Sequence, residues 1–333
     1  MDYTKIGVIH LNQIGDLVFS LPLLKALRDT YPDALIHSIV RQNLTGLLSD
    51  SPYVDSILER GKTLSSTFEL LQNIRKNRYD LLISLSSSEA CLTLTALSRA
   101  KVKVGFSHFP MDLFLDIKET IEGHNSWFNN RKLLNQLQIN VTKNDYVGLL
   151  NIRSDLSNTT DQSTRYVVIS PGASRRRHMK AWDNTKFARL ILLLSRHYNL
   201  KPVLIGGKDN REDNQHIIDS AKAEGAITDI ENITEASLLS IASIIQHAQL
   251  FVGIDSGFMH VASSFDIPVV ALFGPTDPLY VGPQNKRSVV VREESMECVP
   301  CYLQNCEHTD CMQNLSVETV FRACESLLSQ ETN

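Results

Sequence analysis

Several things are missing from this 333-residue chain, and each absence closes off a class of function. Basic charge is not in excess: the formal net charge is −4, so no global positive field points to nucleic acid. No apolar run is long enough to span a bilayer. The N-terminal stretch does not read as a secretory signal, because Ile6 to Leu11 is too short and Asp16 follows closely. No G-x-G-x-x-G follows the first predicted strand, which disfavours a dinucleotide oxidoreductase. No G-x-x-x-x-G-K-[ST] is present either, which disfavours P-loop hydrolysis. Nor does an acidic D-x-D-type pair stand where a metal-dependent enzyme would hold Mg2+.

What is there fits a soluble globular protein of the cytoplasm. Apolar content of 43% and charged content of 21% supply two cores, and the length suggests two domains. Four of the six cysteines cluster as Cys298-x2-Cys301-x4-Cys306-x4-Cys311. In a reducing compartment this spacing favours thiols or a metal over disulfides. Four thiolates could hold a structural zinc or iron tetrahedrally, and reduced thiols in a tight loop are the other reading. Cys91 and Cys324 are isolated and read as core residues.

Strands and helices alternate. Lys5 to Leu11 reads as a strand, and Leu17, Leu21, Leu24 and Leu27 recur at helical spacing, with Pro22 tolerable in a first turn and Tyr31-Pro32 stopping the helix. Ala34 to Val40, Tyr79 to Leu85 and Val102 to Phe106 read as further strands. The chain then turns polar and the plan restarts with strands at Tyr166 to Ser170, Pro202 to Ile205, Gln249 to Val252 and Pro268 to Phe273. Residues 1–153 are thus predicted as one Rossmann-like domain, 154–165 as a linker and 166–315 as a second such domain. An amphipathic helix, Val317 to Leu328 within 316–333, is expected to pack back on the first domain. Each domain is α/β and doubly wound, and in such sheets ligands bind beyond the carboxyl ends of the strands.

The densest chemistry lies where the third of those later strands ends. Gly253-Ile254-Asp255-Ser256-Gly257 turns straight into a helix that also carries His260. Glycines let a backbone approach a ligand closely, and a helix N-terminus aims free N–H groups at an anion. The pattern suits a phosphate-bearing, hydroxyl-rich ligand.

Four blocks together resemble the bacterial heptosyltransferases, glycosyltransferase family 9: Val8 to Asp16; Ser170 to Ser174 with Lys180-Ala181-Trp182; Leu204-Ile205-Gly206-Gly207; and Gly253 to His260 with Phe273 to Pro278. The resemblance implies a GT-B architecture, two Rossmann-like domains facing across a cleft. It implies inverting, metal-independent transfer of heptose from ADP-L-glycero-D-manno-heptose to a lipopolysaccharide core acceptor. Asp16 matches the family's proposed base, which would take the proton of the acceptor hydroxyl, and it also fits a helix cap. Gly15 would give its loop the freedom to aim that carboxylate. Lys180 matches a family lysine that offsets the charge growing on the leaving diphosphate.

Donor contacts are expected from Ser170, Gly172, Ser174, Gly206, Gly207, Asp255, Ser256, Gly257, His260 and Thr276, with Glu212 placed for the ribose hydroxyls. Gly15, Ser86, His124 and Arg176 are assigned to the acceptor side, and Arg175-Arg176-Arg177 also reads as a patch for acceptor phosphates or the inner face of the inner membrane. No cofactor is required on this reading. Where the family usually shows Asp and then Gly, this chain has Ser84-Leu85-Ser86-Ser87-Ser88-Glu89, so the acceptor is less constrained than the transfer machinery. Two other readings stay open: a same-fold transferase using another nucleotide sugar or a capsule, O-antigen or protein acceptor, and a non-catalytic nucleotide-sugar-binding or metal-bearing scaffold.

Overall fold

In the computed structural model, which describes residues 2–123, 125–153, 164–172, 179–225, 229–302, 306 and 308–329, the chain divides into two units, Met1–Ile152 and Arg153–Asn333. Most of the polar stretch expected as a linker, 154–163, lies outside the described residues.

The first unit runs β1 (Lys5–Ile9), α1 (Ile14–Thr30), β2 (Leu35–Arg41), β3 (Ser56–Arg60), α2 (Leu64–Asn77), β4 (Leu81–Ser84), α3 (Glu89–Leu97), β5 (Val102–Phe106), β6 (Ile117–Glu119) and α4 (Ser126–Gln136). Its six strands are all parallel in the order β3-β2-β1-β4-β5-β6. β1 and β4 are apolar and buried on both faces, as central parallel strands must be when helices cover both sides of a sheet. One face packs Ile9, Ile39 and Leu82 against Leu70 and Ile74 of α2 and Leu94 of α3.

The second unit runs β7 (Tyr166–Ser170), α5 (Asn184–Tyr198), β8 (Lys201–Ile205), α6 (Arg211–Ala223), β9 (Glu231–Ile233), α7 (Leu238–Gln246), β10 (Leu250–Ile254), α8 (Gly257–Ser264), β11 (Val269–Phe273), α9 (Pro278–Val281), β12 (Ser288–Arg292), α10 (Asp310–Gln313) and α11 (Val317–Leu328). Its sheet, β12-β11-β10-β7-β8-β9, repeats the strand order of the first when each unit is counted from its own first strand. Order reverses between β1 and β4 in one sheet and between β7 and β10 in the other. Those switch points are where a parallel sheet opens a crevice at its carboxyl edge.

Helix α11, expected to pack back on the first domain, puts its apolar face, Val317, Val320, Cys324, Leu327 and Leu328, into the second unit's own core with Val167, Ile169 and Leu190. The apolar surface under it is one side of β10, β11 and β12 and the flank of α5. Pro22 is not in a first turn, because α1 starts at Ile14. It sits mid-helix, where it removes one backbone hydrogen bond, and the helix is held instead by a run buried from Leu17 to Leu24.

Candidate active site

The first unit's switch point holds a concave pocket of about 190 Å3. His10, Asn12 and Asp16 enter it from the end of β1 and the start of α1, and Leu85, Ser86 and Ser87 from the end of β4. Phe106, Ile121 and Gly123 form a wall, and Ser126, Asn129 and Asn130 come from α4. Asp16 stands in the first turn of α1, where its Oδ2 accepts from the Gln13 backbone N–H at 3.2 Å. Its Oδ1 accepts from the Ser126 hydroxyl at 2.9 Å. The carboxylate is therefore oriented by two helix starts, each of which favours negative charge.

Asp16 thus caps its helix and faces the pocket at once. Gly15, expected in a loop, lies inside α1 and is not among the pocket's lining residues. Ser86 does line the pocket, as expected.

Behind this pocket His10 is buried and bridges three elements. Its Nδ1 meets Ser20 Oγ at 2.8 Å, and Ser20 donates its own proton to the Leu17 carbonyl. Nδ1–H is therefore the donor, and Nε2 is left to accept from Ser38 on β2. Burial pushes the imidazole down to about 3, so it is neutral at working pH.

At the second switch point, β10 delivers Asp255 and α8 begins two residues later. Asp255 is buried and forms an ion pair with Lys180, whose head is also buried. Thr276 donates to the same carboxylate oxygen at 2.7 Å. Sequence reasoning treated Lys180 as catalytic and Asp255 and Thr276 as separate donor contacts, whereas they form one cluster that fixes the lysine at the strand end. Lys180 has three N–H donors, so pairing leaves others for a ligand.

Ser256, the N-cap of α8, makes no side-chain cap bond, and its Oγ is buried without a partner among the described residues. Gly257 opens the helix, and His260 is buried at 4% exposure one turn on. Ser170 ends β7 beside this turn.

Asn210 is a residue that sequence reasoning missed. Its side chain lies over both Gly172 and Gly206, so that a Cβ on either glycine would run into it. Its Oδ1 accepts from the Gly207 backbone N–H at 3.0 Å. The only signal in the sequence was an Asn placed just after Gly206-Gly207. Glu212 is exposed in the first turn of α6. Ser174, Arg176 and His124 lie outside the described residues.

The cysteine loop packs against this site. Among the described residues no group of three or more His, Cys, Asp or Glu is placed to hold a metal ion. Cys298 is exposed, Cys301 and Cys306 are half-buried and Cys311 is buried. Burial pushes the Cys311 thiol up, with Cys301, Cys298 and Cys306 adding to the shift. The loop packs by backbone and sulfur. The N–H groups of Cys301 and Tyr302 donate to the Pro275 carbonyl at 3.1 and 2.8 Å, and that of Cys306 to Met179 Sδ at 3.3 Å. These contacts brace the segments that carry Thr276 and Lys180.

Among the described residues no helix is long and apolar enough to cross a membrane.

Comparison with known proteins agrees with this geometry. The profile of glycosyltransferase family 9 (heptosyltransferase) matches residues 67–311. Lipopolysaccharide heptosyltransferase 3 of Escherichia coli is 27% identical over 294 residues, covering 83% of this chain and 85% of its own. Lipooligosaccharide heptosyltransferase 2 of Campylobacter jejuni is 24% identical over 96% of this chain and 97% of its own. The crystal structure of a family 9 glycosyl transferase from Veillonella parvula superposes with a TM-score of 0.84 at 24% identity, covering 99% of this chain and 98% of that one. E. coli ADP-heptose heptosyltransferase II gives 0.80 at 19% identity, covering 99% of this chain and all of that one (100%). The GT-B fold is common to these structures.

Proposed function

This chain belongs to glycosyltransferase family 9 and is a glycosyltransferase, and from that premise we propose that it moves heptose from ADP-heptose to the inner core of lipopolysaccharide, with inversion and without a metal. The observation that carries the reading is the Asp16 carboxylate, held by Ser126 and the Gln13 N–H at the edge of a pocket at the switch point. Asp16 takes the proton of an acceptor hydroxyl while that oxygen bonds to the anomeric carbon from the face opposite the diphosphate. The bond from the anomeric carbon to the phosphate oxygen breaks and ADP leaves. Lys180, the α8 N-terminus and the Ser256 hydroxyl offset the charge that grows on the diphosphate.

The same reading places the protein in the cytoplasm, in peripheral contact with the inner face of the inner membrane. Phe109, Leu113 and Phe114 stand exposed on the loop beyond β5, next to the end of α3, where Leu97 is also exposed, and Lys118 pairs with Asp112 of that loop at 3.5 Å. Aromatic and basic side chains together suit an anionic lipid surface.

The test is ADP release from ADP-heptose in the presence of a deacylated core oligosaccharide and EDTA, with UDP- and GDP-sugars alongside. Turnover of ADP-heptose alone, unaffected by EDTA and giving the inverted anomer by NMR, is expected. Preference for another nucleotide sugar would replace the heptose assignment. Activity lost to EDTA and restored by Mg2+ would remove the lysine-based account.

A further inference from the structure

We propose that Asn130 is an acceptor-binding residue and that the pocket beside Asp16 takes an uncharged sugar ring, with Asn130 bonded to a hydroxyl next to the one Asp16 deprotonates. This deepens the reading given under Proposed function and rests on it.

Asn130 is 4% exposed, yet its amide makes no hydrogen bond to any described group, and it lines the Asp16 pocket. Its amide nitrogen and oxygen are not sealed in the core, so a partner can reach them from the pocket. Its neighbour Asn129 shows the contrast: its amide is spent on Glu122 and Asn125. Position adds a second reason. Asn130 is four residues after Ser126 on α4, hence on the same helix face one turn along. Ser126 is the residue whose hydroxyl holds Asp16 Oδ1. The open amide and the base therefore address neighbouring points of one ligand.

The chemistry of the walls fixes the class of ligand. An amide both donates and accepts, as a sugar hydroxyl does. Phe106 and Ile121 offer an apolar face for the C–H side of a ring. Asp16 is the only charged side chain among the described residues of the lining, and no Lys or Arg is there to receive a phosphate. A phosphate carried on the reacting ring would meet the Asp16 carboxylate uncompensated. The pocket of about 190 Å3 is roughly six waters' worth of space at about 30 Å3 each, the scale of one ring.

The experiment is isothermal titration of the full chain with two deacylated core oligosaccharides, one ending in an unphosphorylated heptose and one phosphorylated on that terminal ring. It is run on the wild type and on Asn130→Leu, with urea unfolding of both. The wild type should bind the neutral ring at least tenfold more tightly than the phosphorylated one. Asn130→Leu replaces an open amide with an apolar group of similar size. It should bind the neutral ring about tenfold more weakly while unfolding at the same or higher urea concentration. Unchanged affinity in the variant, loss of affinity together with loss of stability, absence of binding, or preference for the phosphorylated ring would each overturn the proposal. Binding needs no turnover: a wild type that binds the neutral ring as expected but releases no ADP from ADP-heptose would remove the functional reading and leave the acceptor assignment standing.

Discussion

Lys180 and Asp255 are 75 residues apart in the chain and meet as a buried ion pair at the end of β10, on a carboxylate oxygen that Thr276 also holds. The pair sets two opposed demands on the same place. Folding needs both charges, while a diphosphate wants only one of them.

Removing either partner leaves the other charge buried and uncompensated. Lys180→Ala and Asp255→Ala should each lower the unfolding free energy by about 3 kcal/mol or more, read by urea denaturation. Donor affinity separates the two. Lys180→Ala also leaves a bare carboxylate facing the diphosphate, so ADP should bind more weakly to it than to the Lys180→Ala/Asp255→Ala double variant. Equal ADP affinity in the two would show that Asp255 is not near the phosphates.

Asp16→Asn keeps the shape of the carboxylate and loses its basicity. Turnover should fall by at least about 100-fold with ADP affinity unchanged. Ser126→Ala removes one of the two bonds that orient the carboxylate, and kcat should fall by about tenfold, in line with the ~1.5 kcal/mol of a bond to a charged group. Full activity in Asp16→Asn would remove the base assignment.

Gly172→Ala would drive its Cβ into the Asn210 side chain. It should lower stability by about 1–3 kcal/mol and weaken ADP binding. Asn210→Ala clears the space, so stability in the double variant should lie above the sum of the two single losses. Strict additivity in this cycle would place Asn210 away from Gly172.

His10 predicts a pH dependence of stability. Its folded pKa, about 3, lies below the ordinary histidine value of 6.5, so the unfolded chain binds a proton there more readily than the folded one. The stability gained is present above the unfolded value and is lost as pH falls toward the folded one. Each unit of pH in that window is worth about 1.4 kcal/mol. Between pH 7 and pH 5 the wild type should therefore lose about 2 kcal/mol more than His10→Gln in paired urea titrations. Parallel losses would show that His10 takes up its proton in the folded protein.

The architecture was legible wherever apolar residues run through a strand or recur at helical spacing. Val102–Phe106, Tyr166–Ser170 and Val317–Leu328 stand where the apolar pattern put them. Four strands left no such mark: β3, β6, β9 and β12 flank their sheets, are three to five residues long and are mostly half-buried. The start of α1 was hidden for another reason. Its N-cap is Gln13 rather than one of the usual short polar residues, so Gly15-Asp16 read as loop and Pro22 as early. At the site, the glycine turns and Asp16 could be read locally because each is a feature of one short segment. The Lys180–Asp255–Thr276 cluster, the Asn210 side chain over Gly172 and the open amide of Asn130 depend on which segments meet, and a linear pattern does not carry that.

The way α11 completes its sheet has a consequence for synthesis. Trp182 at the edge of the donor-side segment donates its indole N–H to Leu315 at 3.0 Å, and Lys186 of α5 bonds the same carbonyl at 3.0 Å. The apolar floor beneath them is closed by residues that follow every strand of that sheet in the chain. On the ribosome the first unit can close as soon as its own segment emerges. The second stays uncapped after all six of its strands are out, with apolar surface open to chaperones until the final helix arrives.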